Sequence, residues 1–182
     1  MGSLGRLRAI KGYDVLMEAL LLLKQRGFIS PVPFEIVIAG EGSERDALMQ
    51  MAQRAEFSGL KLIGFTNQAQ DLLAGLHLYL QPSRGEGLCI GMHEAMQASL
   101  PVIASRVGQM PYSIEVGLSG WLVAPDDVSA LADALAEALS HPERLAAMGQ
   151  AARQRVLSTY SVEAFKRAGE SILERLKARG IK

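Results

Sequence analysis

Residues 77–105 read HLYLQPSRGEGLCIGMHEAMQASLPVIAS. The run His77–Gln81 has the apolar and aromatic content of a strand. Pro82, which has no N–H to give a ladder, closes it. Pro82–Leu88 follows as a loop in which glycine alternates with charge at Arg84, Gly85, Glu86 and Gly87. Met92–Ala98 is helical, and Pro101–Ser105 is a second strand. Strand, helix and strand in this order make a βαβ unit, because parallel neighbours need a long crossover between them.

The alternation extends in both directions. Toward the amino end, Leu4–Leu7 is a short strand and Tyr13–Arg26 a helix, with Val15, Leu16, Ala19, Leu20, Leu22 and Leu23 at helical spacing. Gly27 stops that helix, since glycine accepts the left-handed conformation. Phe34–Ala39 is the second strand. Ser43 is expected to cap a helix reaching about Ala55, with Glu44 and Asp46 in its first turn. Leu60–Ile63 is the third strand, followed by a short helix over Gln68–Leu73. Toward the carboxyl end, Gly120–Val123 is a sixth strand. Asp127 caps a helix over Val128–Ser140, Pro142 opens one to about Leu157, and Ser161 caps a last one over Val162–Ala178. The expected fold is α/β: a doubly wound, Rossmann-like parallel sheet of six strands with helices on both faces, in one domain over 1–182 whose terminal helices start near 142.

Bulk properties exclude several classes. Of 182 residues, 49% are hydrophobic, enough for a sizeable core, and 19 Lys+Arg balance 19 Asp+Glu. A zero net charge gives no global field for nucleic acid. Cys89 is the single cysteine, so no intrachain disulfide forms, which fits a reducing compartment. The most apolar run, Ala19–Leu23, is flanked by Glu18 and Lys24 and is far short of the roughly 20 residues a membrane span needs. Met1-Gly2-Ser3 reads equally as an appended start or as a strand edge.

With a strand order of 3-2-1-4-5-6, taken by analogy, the order reverses between strands 1 and 4. Ligands of such sheets bind beyond the strands' carboxyl ends at that reversal. The loops Arg8–Gly12 and Pro82–Leu88 should therefore face one another.

At these loops the chain resembles the C-terminal domain of retaining GT-B glycosyltransferases of family 4. The resemblance covers nearly the whole chain. It runs through Gly5-Arg6-Leu7 with Lys11-Gly12, Ile38–Ser43, Gly64-Phe65, Pro82–Gly87, Glu94-Ala95-Met96, Pro101–Ser105 and Gly120–Val123 with Pro125. Its strongest element is Glu86 and Glu94, with seven residues between them, taken together with Arg6 and Lys11.

The resemblance implies a nucleotide-diphosphate sugar as donor and transfer of its sugar, with retained anomeric configuration, to a sugar, lipid-linked glycan or other acceptor. Arg6 and Lys11 would stabilise the charge that builds on the departing diphosphate; the plainer alternative is a solvated basic loop. Glu94 would accept ribose hydroxyls, against a role as a favourable charge near a helix start. Glu86 would accept hydroxyls of the transferred sugar, against an exposed loop carboxylate. The backbone around Cys89 and Ile90 would meet phosphate at a helix N-terminus. Gly5 and Ser83 belong to the same donor site. Gly40 and Gly42 would let backbone approach the nucleotide, although a helix-entry turn explains them almost as well, and Phe65 would edge the base. No obligatory cofactor and no metal are expected, because the basic pair neutralises phosphate.

An N-terminal domain, absent from this chain, would supply most acceptor contacts, and the isolated chain would bind donor weakly and turn over negligibly. The implied setting is cytoplasmic polysaccharide biosynthesis, with peripheral contact at the inner membrane face open to the full-length enzyme. Two alternatives stay open: a non-catalytic nucleotide- or sugar-binding module, and a nucleotide-sugar epimerase-like enzyme. A nicotinamide dehydrogenase is disfavoured because no Gly-x-Gly-x-x-Gly turn follows the first strand.

The chain departs from the family pattern at Cys89, where glycine is usual, and after strand 5. There Gly108-Gln109 replaces a glycine pair and Tyr112 stands in a glutamate position. Asp126-Asp127 resembles a metal-binding pair, but capping explains it better. His77, His93 and His141 lack ligand spacing, and His93 should face away from Glu94's side of the helix. Ser83 has no identifiable triad partners. Met49, Met51, Met92 and Met96 are expected to fill core gaps.

Overall fold

A computed structural model describes residues 1–179. Its strands are β1 (Gly2–Leu4), β2 (Ile36–Ala39), β3 (Leu60–Gly64), β4 (Tyr79–Gln81), β5 (Val102–Ser105) and β6 (Gly120–Val123). They form one parallel sheet in the order β3-β2-β1-β4-β5-β6. The helices are α1 (Tyr13–Gln25), α2 (Arg45–Arg54), α3 (Ala69–Ala74), α4 (Ile90–Gln97), α5 (Met110–Ser113), α6 (Val128–Ser140), α7 (Leu145–Tyr160) and α8 (Val162–Ala178). No described helix is long and apolar enough to cross a membrane.

Alternate strand residues feed two cores, as a sheet covered on both faces requires. Leu80, Ile103, Trp121 and Val123 join Leu16, Leu20, Leu48, Leu131 and Leu135 of α1, α2 and α6. Their neighbours Tyr79, Val102 and Ala104 point the other way, onto Met92, Ala95 and Met96 of α4 and Ala152 and Val156 of α7. Met51 lies partly buried against the first core, but Met49 is exposed and fills no gap.

Three expected boundaries are corrected. The first strand is Gly2–Leu4, not Leu4–Leu7, so Met1-Gly2-Ser3 leads into the sheet's centre, where Gly2 pairs with both Val37 and Tyr79. Beyond Leu4 the chain leaves β4 but follows β2's loop through Gly5 N–H to Ala39 O and Leu7 N–H to Glu41 O. Leu7 is apolar because it is wholly buried in the first core. Ser43 does not cap α2: the helix starts at Arg45, and Glu44 N–H reaches Leu7 O while Arg45 N–H reaches Gly42 O. Neighbouring carbonyls thus satisfy donors that a side chain would otherwise cap. Pro142 opens a 3₁₀ turn over Pro142–Arg144, and α7 follows from Leu145.

Other punctuation agrees with expectation. Gly27 has φ +70° and Phe28 N–H returns to Leu23 O, closing α1. Asp127 accepts from Ala130 N–H, and Ser161 accepts from Ala164 N–H.

Gly12 is the tightest junction between the two central loops. A 3₁₀ turn over Ala9–Lys11 ends on it, α1 starts from it, its φ is +66°, and a Cβ there would lie 1.9 Å from Pro82 O. Gly12→Ala should destabilise the fold by at least about 2 kcal/mol, from left-handed strain plus the clash with backbone. Gly87→Ala, where an added Cβ meets nothing within 4 Å, should stay within about 0.5 kcal/mol of wild type. Urea midpoints of the two variants check both values.

Candidate functional site

The carboxyl ends of β1 and β4 open onto two loops that touch through backbone. Arg84 N–H donates to Ile10 O at 2.8 Å, beside the Gly12–Pro82 contact. The Arg84 side chain ties the same loops together. It donates to Asp14 through both terminal nitrogens at 2.8 and 2.6 Å, to Asp126 at 2.6 Å and to Ala9 O. Asp126-Asp127 is thereby accounted for, with Asp126 pairing to Arg84 and Asp127 capping α6. Among the described residues no group of three or more His, Cys, Asp and Glu is placed to hold a metal ion.

This juncture brings Lys11 to Glu86. The Lys11 ammonium lies 2.6 Å from Glu86 Oε1, with the side chains only 20% and 11% exposed. The same oxygen accepts from Ser83 Oγ at 2.7 Å and from Gln81 Nε2 at 2.9 Å, and Gln81 also donates to Ser83 at 2.8 Å. The β5 loop joins the far side, where Gln109 N–H donates to Gly87 O.

The expected site residues take distinct places. Lys11, Ser83 and Glu86 form one hydrogen-bonded cluster. Arg6 is exposed on the same loop as Lys11 and makes no side-chain hydrogen bond or ion pair to the described residues. Cys89 and Ile90 stand at the start of α4, where Met92 and His93 N–H are the first to bond Cys89 O. The preceding donors, including Ile90 and Gly91 N–H, thus belong to a helix start, which favours anions. Glu94 sits one turn along and is partly exposed. Gly5, Gly40 and Gly42 have a clear packing reason: a Cβ on Gly40 would fall 2.0 Å from Gly5 O, and one on Gly42 2.0 Å from Leu7 O. They bring the β2 loop onto the β1 loop. Phe65, 78% exposed, stands at the end of β3, two strands away from β1.

Cys89 is in the left-handed region at φ +58°, a conformation that suits the glycine of the resembled pattern. Burial, reinforced by the Glu86 charge, pushes its thiol up to about 12, so it stays neutral. His93 turns away from Glu94's environment as expected. Its Nδ1 lies 3.1 Å from Cys89 O and its Nε2 2.8 Å from Ser113 Oγ, while the ring meets Tyr160 edge-on. Since a carbonyl only accepts, Nδ1 carries the proton, and burial holds the imidazole's pKa below its ordinary value. Tyr112 is exposed on α5.

Gln81 and the Arg84 tie are missing from the expected site. Gln81 had a signal: a polar residue ending an apolar strand. Arg84 had none beyond being charged.

A cavity of about 1040 Å³ opens elsewhere, at the amino-terminal edge of the sheet, lined by residues including Phe34, Gly59, Leu78 and Leu100. It is mainly apolar and remote from the charged loops. The loops at the carboxyl edge, with buried polar groups and a helix start converging, are the better candidate site.

The glycosyl transferases group 1 family profile matches residues 1–155, which include every loop of this site. The chain belongs to that family. Among the relatives, the amylovoran biosynthesis glycosyltransferase AmsK of Erwinia amylovora is 32% identical over 183 residues, covering 96% of this chain and 44% of AmsK. TarM of S. aureus superposes with a TM-score of 0.80 at 25% identity, over 93% of this chain and 34% of TarM. The C-terminal domain of the group 1 protein LpcC from Francisella tularensis gives a TM-score of 0.75 at 27% identity, over 88% of this chain and 85% of that one. The chain thus spans less than half the length of AmsK and about a third of TarM.

The Arg84 tie yields a pH test. Partial burial pushes the Asp14 carboxyl up, but the bonds and charge of Arg84 outweigh it and hold the group below its ordinary 3.8. The stabilisation is complete above that ordinary value and is lost as pH falls through the lower folded one. With Arg84 29% and Asp14 34% exposed, solvent screening limits it to about 1 kcal/mol or less. Urea melts taken from about pH 5 downward past the ordinary 3.8 should show wild type progressively losing this increment and Asp14→Asn lacking it.

Proposed function

We propose that this chain is the donor-binding domain of a retaining, family 4 glycosyltransferase, which moves a sugar from a nucleotide-diphosphate sugar to an acceptor. The observation that carries this reading is the Lys11–Glu86 pair, set beside the start of α4 at the reversal of strand order. In this reading Lys11 and Arg6 take the diphosphate oxygens, Lys11 as a mobile point charge and Arg6 as a planar fork of donors. The N–H groups at the start of α4 add partial positive charge toward the same phosphates. Charge grows on the diphosphate as the glycosidic bond breaks, so cations held ready favour the transition state over the bound donor. Glu94 accepts ribose hydroxyls, Glu86 accepts a hydroxyl of the sugar, and Phe65 edges the base. No metal or other cofactor has a required part.

Two relatives support the reading. AmsK is named as a glycosyltransferase of amylovoran biosynthesis, and TarM has been crystallised with UDP. A second domain, in the longer enzyme, would bring most of the acceptor contacts and close over the donor. Polysaccharide biosynthesis in the cytoplasm, with peripheral contact at the inner membrane face, is the setting we assign.

Calorimetric titration with UDP, GDP and ADP tests the site. One nucleotide should bind measurably, and Lys11→Ala, Arg6→Ala and Glu94→Ala should each weaken it about tenfold, the loss of one charge-assisted bond. Equal affinity in wild type and all three variants would refute the assignment.

A further inference from the structure

Lys11 has two claims on its charge: the Glu86 carboxylate that it touches and the diphosphate assigned to it above. An ammonium that leaves a carboxylate only 11% exposed would strand an unpaired, largely desolvated charge, which opposes its leaving. The side chains around Glu86 remove that obstacle.

Gln81 is the last residue of β4, after Tyr79 and Leu80, and is 1% exposed. Its Nε2 carries two hydrogens. One goes to Ser83 Oγ at 2.8 Å and the other to Glu86 Oε1 at 2.9 Å. Ser83, wholly buried, gives its single hydrogen to the same Oε1 at 2.7 Å. A carboxylate oxygen has two lone pairs, so these neutral donors already fill them. Both stand on or beside β4 and are fixed by their burial and by each other. Lys11 is the third donor to that oxygen and the mobile one, a point charge on a flexible stem with no strict directional demand.

We propose that Gln81 is a positioning residue: with Ser83 it holds the Glu86 carboxylate, so that Lys11 can transfer its charge to a donor diphosphate without leaving Glu86 unsatisfied. The inference rests on the reading of Lys11 as a diphosphate ligand. It gives the buried amide a purpose beyond filling space at the end of β4, and it leaves Glu86 Oε2 outside these bonds, available to a sugar hydroxyl.

The test is a double-mutant cycle in this chain, read by calorimetry with UDP, GDP, ADP and inorganic pyrophosphate, with thermal midpoints measured alongside. Gln81→Leu should weaken the tightest-binding probe about tenfold, the penalty for a buried group left unsatisfied, although Gln81 is not itself a phosphate ligand. In a Glu86→Gln background, where no carboxylate holds Lys11, the same substitution should change affinity less than about twofold. Gln81→Met repeats the cycle if the leucine variant folds poorly, and Ser83→Ala should follow the same pattern. A purely structural role predicts equal losses in both backgrounds, and that result would overturn the inference. So would unchanged affinity in Gln81→Leu while wild type binds a probe, leaving the Lys11 reading intact. Failure of wild type to bind any probe would remove the Lys11 reading and this inference together.

Discussion

The structure turns on backbone contact between two loops that lie some seventy residues apart in sequence but side by side at the sheet's carboxyl edge. Gly12 lies so close to Pro82 O that no side chain fits between them, and Arg84 N–H bonds Ile10 O a few residues away. A doubly wound sheet places the loops after β1 and β4 next to each other at the reversal, but adjacency alone leaves them free to splay. The Arg84 guanidinium prevents that by bonding Ala9 O, Asp14 and Asp126 at once. These bonds span the start of α1, the loop before it and the loop before α6. Lys11 meets Glu86 because its flanking residues are fixed in this way.

Two buried tyrosines support the juncture from beneath. β1 pairs with β4 at only Gly2 and Tyr79 before it turns away, so its next backbone groups need partners. Tyr79 supplies them: its hydroxyl accepts from Leu4 N–H at 3.1 Å and donates to Leu4 O at 3.3 Å. In the same layer the Tyr13 hydroxyl shares a hydrogen bond with Ser3 Oγ at 2.9 Å. Burial raises both phenols, Tyr13 to about 12, so they remain neutral hydrogen-bonding posts. Above them lie Gly5 and Gly91, where an added Cβ would come within 2.7 Å of Tyr13 Oη and 2.9 Å of Tyr79 Oη. Gly5 in the β1 loop and Gly91 in the first turn of α4 thus match the bulk of the aromatic residues below.

How much of this was legible follows from which signals are local. Strand and helix alternation is local; the strand order, taken by analogy rather than read from it, agrees with the sheet. Caps at Asp127 and Ser161 are local too. Leu7 misled because burial, not strand membership, made it apolar; a wholly buried loop residue and a strand residue look alike in composition. Ser43 misled because Leu7 O, from a distant loop, and Gly42 O, just before the helix, already satisfy donors at the start of α2. Gly40 and Gly42 read in the sequence as places where backbone approaches a nucleotide; in the fold the β1 loop packs against them. Arg84 shows the limit most clearly: its partners Asp14 and Asp126 are 70 and 42 residues away, and no spacing rule links them.

The charged cluster is sheltered on its protein side only. Glu86 rests on buried Gln81 and Ser83, whereas Arg6 and Ile90 face outward. Electrostatic attraction for a diphosphate grows as water is excluded, so an open shelf of this kind uses little of the strength its charges allow. In the proposed enzyme a second domain closing over the shelf would raise that strength at the moment the donor is enclosed. The same closure would raise the penalty for an unpaired Glu86 carboxylate. In that reading the neutral donors on Glu86 Oε1 would matter most in the enclosed form, with Lys11 turned to the leaving group and no water to take its place.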